Sequence, residues 1–188
     1  MAHAPSPRPP SYDDVLALPE HLTGELIDGE LFVSPRPAPR HAAAATALGE
    51  ELGPPFKRGR GGPGGWMILF EPELHVGRDV VVPDLAGWRR ERMPELPVDK
   101  AYFVLAPDWA CEVLSPSTAA LDRGRKLTVY ARERTGHVWL VEPVSQTLEV
   151  LRLDGDTYRI VQVATGEASV RAEPFEAIEL ALPILWAR

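Results

Sequence analysis

Alternating apolar and polar positions divide much of the chain into short strands that pair as hairpins. Each pair flanks a turn signal; the clearest is Asp28-Gly29, which lies between the apolar runs GELI and ELFV. A second turn signal, Gly77-Arg78, lies between two apolar runs, and Asp154-Gly155-Asp156 forms a third. Hairpins are therefore predicted over residues 24–33, 66–88 and 147–163.

Two longer segments have helical patterns, and a third, short helix precedes them. Residues 41–52 are rich in alanine, and Ser117 or Thr118 can cap a helix that runs to about Arg134, with Gly124 as a weak point. Ser11, with Asp14 three residues later, predicts a short helix that ends before Pro19. The last part of the chain, after residue 163, has no pattern that assigns an element.

One strand–helix–strand run determines the fold class. An apolar strand, DWACEVL, precedes the helix after Ser117, and the strand HVWLVE at residues 137–142 follows it. A crossover of this kind joins parallel strands. We therefore predict an α/β fold in which one parallel pair lies inside an otherwise antiparallel, mixed β-sheet.

Length and composition indicate one globular domain. The 188 residues, 45% of them hydrophobic, suit a single core, predicted over residues 11–188 after a proline-rich, disordered lead-in at residues 1–10. No apolar run reaches the roughly 18 residues that span a bilayer. Cys111 is the only cysteine, which excludes an internal disulfide framework and a multi-cysteine zinc site. A cytoplasmic location is the simplest expectation.

The net charge of −7 argues against an architectural DNA-binding protein, since such proteins are usually basic. Any nucleic-acid contact must come from a local basic patch. The glycine-rich segment KRGRGGPGG is predicted to be a mobile basic loop without regular structure, and it lacks the phosphate-loop pattern G-x-x-x-x-G-K-[ST]. The basic residues predicted to contact phosphates are Lys57, Arg58, Arg60, Arg89, Arg90 and Arg92.

Three residues combine the chemistry that phosphodiester hydrolysis requires. Asp84 follows Pro83, Glu112 ends an apolar strand, and Lys126 lies on the helix that follows. Two carboxylates on neighbouring strands can hold one hard cation, which polarises the phosphate, and the lysine can orient water or offset negative charge. If the turn at Gly77-Arg78 has two residues, Glu71 lies opposite Asp84, and a cation would relieve that repulsion.

Each of these residues also has an ordinary structural interpretation. Asp84 can be a turn aspartate that bonds its own backbone, and Glu112 can face outward while Cys111 and Val113 face the core. Lys126 can form a surface ion pair with Asp122, four residues earlier, worth a few tenths of a kcal/mol. Taken singly, the three residues leave both interpretations open.

The motifs, in their order and spacing, resemble the Uma2 family of nuclease domains with the PD-(D/E)xK, restriction endonuclease-like fold. The segments that carry the resemblance are GELIDGEL, PRPAPRHAAAATALGEEL, VVVPDLAGW and WACEVLSPSTAALDRGRKLTVYARERTGHVWLVEP. The stretch from Glu112 to Glu142 is the most specific part. The general superfamily pattern has a lysine two residues after the glutamate, where this chain has Leu114; the Uma2 version has it on the following helix, which matches Lys126.

The resemblance implies a role for each site residue. Asp84 would match the metal-binding aspartate, Glu112 the second acidic residue and Glu25 an acidic residue from the N-terminal unit, with Tyr130 one turn beyond Lys126. The expected activity is a Mg²⁺- or Mn²⁺-dependent DNA endonuclease, with the metal held by Asp84, Glu112 and the Val113 carbonyl.

Two alternative functions remain open, and so does the oligomeric state. The chain could be a catalytically silent nucleic-acid-binding or assembly module, or a carboxylate–metal hydrolase of a small phosphate ester. A homodimer is also expected, with apolar residues between positions 148 and 163 as the candidate interface.

Overall fold

A six-stranded sheet forms the centre of the protein, whose computed structural model describes residues 8–186. Its strands lie in the order β10-β9-β8-β7-β6-β3, and only β7 and β8 run parallel to each other. The bounds are β3 Trp66–Phe70, β6 Leu85–Arg89, β7 Trp109–Val113, β8 His137–Glu142, β9 Thr147–Asp154 and β10 Thr157–Thr165. The predicted mixed sheet with one parallel crossover is confirmed.

A smaller, four-stranded sheet carries the N-terminal hairpin. Its order is β2-β1-β5-β4, and all its neighbours are antiparallel. In the first hairpin Ile27 pairs with Glu30, so Asp28-Gly29 forms the predicted two-residue turn. The bounds are β1 Leu22–Ile27, β2 Glu30–Pro35, β4 Leu74–Val76 and β5 Asp79–Val81, and a separate pair consists of β11 Ser169–Val170 and β12 Leu180–Ala181.

The predicted hairpin over residues 66–88 has the expected register, but it consists of four strands divided between the two sheets. Val76 pairs with Asp79 across the two-residue turn, and Phe70 pairs with Leu85 in the same register. Between these pairs the ladder opens, because Pro83 has no N–H to donate and Glu71 adopts φ +43°. Glu71 still lies opposite Asp84 and donates its N–H to the Asp84 carbonyl at 3.0 Å.

The helices begin close to the predicted positions. In α1, Tyr12–Leu16, the Asp14 carboxylate accepts the Ser11 N–H at 2.7 Å, which caps the first turn. Helix α2, Pro39–Leu52, continues into a π-helical turn, Gly53–Lys57. The helix predicted after Thr118 is divided into α3, Ala119–Leu121, a π-helical turn, Asp122–Lys126, and α4, Leu127–Arg132. A 3₁₀ turn, Leu182–Leu185, ends the C-terminal region.

Both faces of the six-stranded sheet are covered, which is why the central strands are almost entirely buried. One face packs against α2 and the C-terminal segment, and it includes Cys111 and Val113 of β7. The other face packs against α4 and the smaller sheet, and it includes Ala110 of β7 with Tyr130. Because side chains alternate along a strand, Glu112 points to the second face, beneath the helix that contains Lys126.

The N-terminal lead-in lies partly outside the described residues, which begin at Arg8. Within them, the Arg8 guanidinium pairs with the Asp14 carboxylate at 2.7 Å. No helix in residues 8–186 combines the length and apolar character needed to cross a bilayer.

Candidate active site

Asp84 and Glu112 lie side by side at one end of the six-stranded sheet. Leu85 pairs with Cys111 in the antiparallel ladder of β6 and β7, so the preceding Asp84 lies opposite Glu112. The Asp84 carboxylate accepts the Val113 backbone N–H at 2.6 Å. Two strands of the buried sheet therefore hold both carboxylates in place.

Lys126 is buried among oxygen atoms and does not form a surface ion pair. Its Nζ lies 2.9 Å from Glu112 Oε1, 3.1 Å from Glu25 Oε1 and 3.5 Å from Asp122 Oδ1. It also donates to the Val82 carbonyl at 3.3 Å, and the side chain is 3% exposed. The ammonium thus occupies the centre of an acidic cluster, and the predicted convergence of Lys126 on Glu112 is present in the structure.

Glu25 reaches this cluster from the smaller sheet. Its Oε1 accepts the Val82 N–H at 2.8 Å as well as contacting Lys126. Val82 lies between β5 and β6, where the chain crosses from the smaller sheet to the larger. Glu25 therefore connects the two sheets at this cluster.

The π-helical turn brings further polar groups onto the same helix face. Asp122 and Lys126 are its first and last residues, and both side chains are buried. One turn later, the Tyr130 hydroxyl donates to Glu112 Oε1. Extra-residue turns of this kind often occur at functional sites, where they redirect side chains. Here the turn lies directly over the carboxylates.

Burial and mutual charge change the ionisation of this cluster. Burial lowers the pKa of Lys126, but the charges of Glu112, Glu25 and Asp122 outweigh it and raise that pKa well above its ordinary value. Burial raises the pKa of Glu112 well above its usual range, since desolvation and the other carboxylates outweigh the lysine. Lys126 is consequently a fixed cation, whereas Glu112 retains a proton to higher pH than an exposed glutamate does.

His41 approaches the site from α2. Its Nε2 lies 3.1 Å from Asp84 Oδ1, while its Nδ1 is buried without a hydrogen-bond partner among residues 8–186. Burial lowers the pKa of His41, but the hydrogen bond and charge of Asp84 offset this and raise it above its ordinary value. The negative charge of Glu71 makes a smaller contribution in the same direction.

The carboxylates open into a cavity of about 310 Å³. Glu25, Asp84, Glu112, Asp122 and Lys126 all line it. Its remaining lining includes five hydroxyl-bearing residues, Thr23, Ser34, Ser115, Ser117 and Thr118, together with Arg36 and several apolar residues. A ligand in this cavity would therefore meet the acidic cluster directly.

The donor chemistry of the site fits a hard divalent cation. Mg²⁺ is commonly held by one or two carboxylates together with water and substrate phosphates, and Asp84 and Glu112 supply two adjacent carboxylates. Within residues 8–186, however, no three His, Cys, Asp or Glu side chains form a ready metal-binding group. The Lys126 ammonium lies where Glu25, Glu112 and Asp122 would otherwise converge. Asp84, beside it, is the carboxylate that Lys126 leaves accessible to a cation.

The predicted basic patch lies away from this site. Strand β6 begins directly after Asp84 and ends at Arg89, five residues later, so about 17 Å separates the two ends. The Arg90 N–H donates to the Gly65 carbonyl, which places the glycine-rich loop at the far end as well. The sheet register therefore carries Arg89, Arg90 and Arg92 to the end opposite Asp84, so any phosphate contacts they make would lie away from the cavity.

Several of these basic side chains have partners within the protein. The Arg89 guanidinium covers the Trp66 ring at 4.2 Å, and Arg92 pairs with Asp108 at 2.6 Å. Lys57 donates to the Ile68 carbonyl at 2.9 Å and belongs to the π-helical turn that follows α2. Part of the segment predicted to be an irregular loop is therefore helical.

Sequence reasoning missed two contributors to the site and underestimated a third. Asp122 was recognised only as the surface partner of Lys126, although its i, i+4 spacing was the available signal. His41 heads the alanine-rich helical segment, and nothing in the sequence brings it to Asp84. Tyr130 was placed on the correct helix face, but its bond to Glu112 depends on the π-helical turn.

Comparisons with known proteins identify the family and support the fold. The sequence model of the Uma2 family, described as "Putative restriction endonuclease", matches residues 12–184. The crystal structure of a protein described as a "putative nuclease belonging to DUF820", from Anabaena variabilis ATCC 29413, is similar to this chain with a TM-score of 0.76. The two are 24% identical, and the match covers 95% of this chain and 98% of the other, which supports the predicted nuclease-like fold. No curated protein sequence matches the chain.

Proposed function

The chain belongs to the Uma2 family, and from this premise we propose that it is a divalent-metal-dependent endonuclease that hydrolyses phosphodiester bonds in DNA. The observation that carries the proposal is the convergence of Asp84, Glu112, Glu25 and Lys126 on one cavity. Carboxylates and a lysine within reach of one point are the groups that metal-assisted phosphodiester hydrolysis uses.

Asp84, Glu112 and the Val113 carbonyl are the proposed ligands for Mg²⁺, with Mn²⁺ as a substitute. Such a cation, when bound, polarises the scissile phosphate and lowers the pKa of the attacking water. The Val113 N–H holds the Asp84 carboxylate in position. Glu25 acts directly or through water, and its bond to the Val82 N–H fixes its orientation.

Lys126 has the proposed role of positioning the attacking water and offsetting negative charge on the phosphate. A fixed, buried ammonium stabilises developing charge more strongly than one at a surface. Glu25, Glu112 and Asp122 hold its position, so it needs no rearrangement as charge develops. Tyr130 keeps the Glu112 carboxylate aligned through its hydroxyl.

A second candidate function is a catalytically silent nucleic-acid-binding module that retains the fold. The specific observation in its favour is that Lys126 already neutralises the buried carboxylates, so that no three-ligand metal group is preformed within the described residues. In that case the ion pairs would serve stability alone, and DNA binding would be independent of divalent metal.

Cleavage and metal binding together test the proposal. Plasmid and single-stranded DNA are incubated with the protein and Mg²⁺ or Mn²⁺, and metal affinity is measured by titration calorimetry. We expect cleavage that EDTA abolishes, and loss of both cleavage and metal binding in Asp84→Asn.

Asp99→Asn is the matched control, because Asp99 is an exposed aspartate outside the cavity. The control should keep wild-type cleavage. Absence of cleavage under all these conditions, with DNA binding unchanged in Asp84→Asn, would favour the silent module instead.

A further inference from the structure

A second cavity, of about 350 Å³, adjoins the candidate active site. It lies between β2 and the start of α3, and it shares Ser34, Ser117 and Thr118 with the first cavity. Because these three residues line both spaces, the two cavities are neighbours, and we call the pair the groove. A polymer whose phosphate reaches Asp84 and Glu112 would therefore have the second cavity beside it.

The lining of this second cavity differs from that of the first. Phe32, Val33, Ala120 and Leu121 give it an apolar surface, in place of the cluster of carboxylates. The Arg125 guanidinium lies over the Phe32 ring, 5.2 Å from its centroid. Apolar side chains and an arginine plane are the surfaces on which an unpaired nucleobase stacks.

The polar groups around the second cavity suit a nucleotide chain. Hydroxyls at its boundary with the first cavity can bond sugar, phosphate or base edges. Arg125 also pairs with the exposed Glu30 at 3.2 Å, so it is held in place while still lining the cavity. Arg36 lines the first cavity, so each part of the groove has one guanidinium for an anionic backbone.

We propose that the second cavity binds an unpaired nucleobase next to the scissile phosphate, and that the substrate is single-stranded DNA. The inference rests on the proposed nuclease function and names the substrate class for the same site. In an intact duplex the bases are stacked and paired, so a base enters a side cavity only when it is unpaired or flipped out. The cavity volume lies within the range of small-ligand pockets, which suits a single base.

Binding measurements on a non-cleaving protein test this inference. The probe is a fluorescein-labelled 12-nucleotide DNA strand, alone or annealed to its complement, with Asp84→Asn protein in Mg²⁺. Fluorescence anisotropy should show tighter binding of the single strand than of the duplex. Adding Ala120→Trp, which fills the cavity, should weaken single-strand binding about tenfold, the effect of losing one stacked base.

Ala177→Trp is the matched control, because Ala177 is also an exposed alanine and lies outside both cavities. It should leave the affinity unchanged. Val33→Trp provides a second cavity-filling variant, since Val33 is 45% exposed and lines the same cavity. Thermal unfolding checks that each variant is folded, and a loss of binding counts only in a folded variant.

Equal binding of duplex and single strand, or full affinity in both folded cavity-filling variants, would overturn the inference. Tighter cavity-dependent binding of an RNA strand of the same sequence would also overturn it, because the site would then select RNA. If the wild type cleaves DNA but the cavity-filling variants bind the single strand normally, only this inference is wrong. If binding depends on the cavity but the wild type cleaves no DNA, only the proposed reaction is wrong.

Discussion

The two ends of the six-stranded sheet bury their side chains by opposite means. At the aromatic end, defined by Phe56, Trp66, Trp109, Trp139 and Phe175, the Phe175 ring lies 4.6–5.6 Å from the other four rings. At the charged end, defined by Glu25, Asp84, Glu112, Asp122 and Lys126, ion pairs form the contacts instead, and Glu112 lies on the opposite face of the sheet, beneath the helix that contains Lys126. The same strands, β6 and β7, connect the two ends.

The two ends therefore contribute differently to stability and to the proposed activity. Apolar aromatic packing stabilises by removing surface from water, without a desolvation cost for charges. The attraction within a buried ion pair offsets at best most of the free-energy penalty of removing its charges from water. Well-packed apolar side chains in the same place often stabilise the folded protein more. A protein that places four buried charges beside a cavity therefore gains function there. We therefore expect substitutions at the charged end to change cleavage most. Substitutions at the aromatic end should mainly change the free energy of unfolding.

Lys126→Met gives the largest expected effect, because it removes the cation from the charged end and keeps the side-chain length. Cleavage should fall by about 10²–10³-fold, as for loss of a fixed charge-stabilising group. The free energy of unfolding of the metal-free protein should fall by about 3 kcal/mol, since three buried carboxylates lose their partner. Nuclease assays and urea unfolding measure the two effects.

Lys57→Met is the control for this change, because Lys57 is partly buried but bonds a backbone carbonyl outside the cavity. It should leave cleavage unchanged. Wild-type cleavage by Lys126→Met would show that the charged end is structural and would remove the contrast between the two ends.

Phe175→Ala tests the aromatic end. Phe175 is 1% exposed and contacts three tryptophan rings, so its truncation should lower the free energy of unfolding by about 3–5 kcal/mol. Phe70→Ala, at a ring that is 53% exposed, should cost about 1 kcal/mol or less. Under conditions where Phe175→Ala is folded, its Mn²⁺ affinity should equal that of the wild type. A parallel loss of metal affinity would show that the two ends are coupled.

Two histidines, one at each end of the sheet, extend the comparison. Their contributions to stability should be smaller and should change with pH in opposite directions. His41 has a raised pKa beside Asp84, so its contribution to stability is fully present below its unfolded value and is lost as the pH rises through its folded value. His137, at the start of β8, has its pKa lowered by burial, so its contribution is present above the unfolded value and is lost as the pH falls through the folded one.

Unfolding free energies of His41→Gln and His137→Gln, measured against pH without metal, test these signs. The stabilisation that the wild type has over His41→Gln should decline as the pH rises, by on the order of 1 kcal/mol. The corresponding difference for His137→Gln should change in the opposite direction. The same direction for both variants would contradict the assignment of His41 to an ion pair with Asp84.

The predictable part of the site lies on regular strands. The order of the motifs, through the family resemblance, implied that Asp84 and Glu112 belong to one site. The two-residue turn at Gly77-Arg78 likewise predicted that Glu71 faces Asp84. Lys126 could be placed on the following helix by its motif, and Glu25 by the first hairpin.

The parts that could not be predicted depend on packing between distant elements. The contact of His41 with Asp84 requires α2 to cross the end of β6, and no local pattern encodes that crossing. The buried position of Asp122 depends on a π-helical turn, which a sequence spacing of four does not distinguish from an α-helical turn. The basic segment near Arg58 could be recognised because charge can be read from sequence, whereas its distance from Asp84 cannot.

The sequence by itself determined most of the strands, the tight turns and the parallel crossover, and it proposed the four residues of the catalytic set. These follow from alternation, turn chemistry and motif order, which act over a few residues or along one strand pair. Only the tertiary structure decided that Lys126 is held by three carboxylates, that His41 contacts Asp84 and that a second cavity lies beside the first. The physical reason is that burial and charge–charge distances arise where separate elements meet, and neither quantity exists in the chain before it folds.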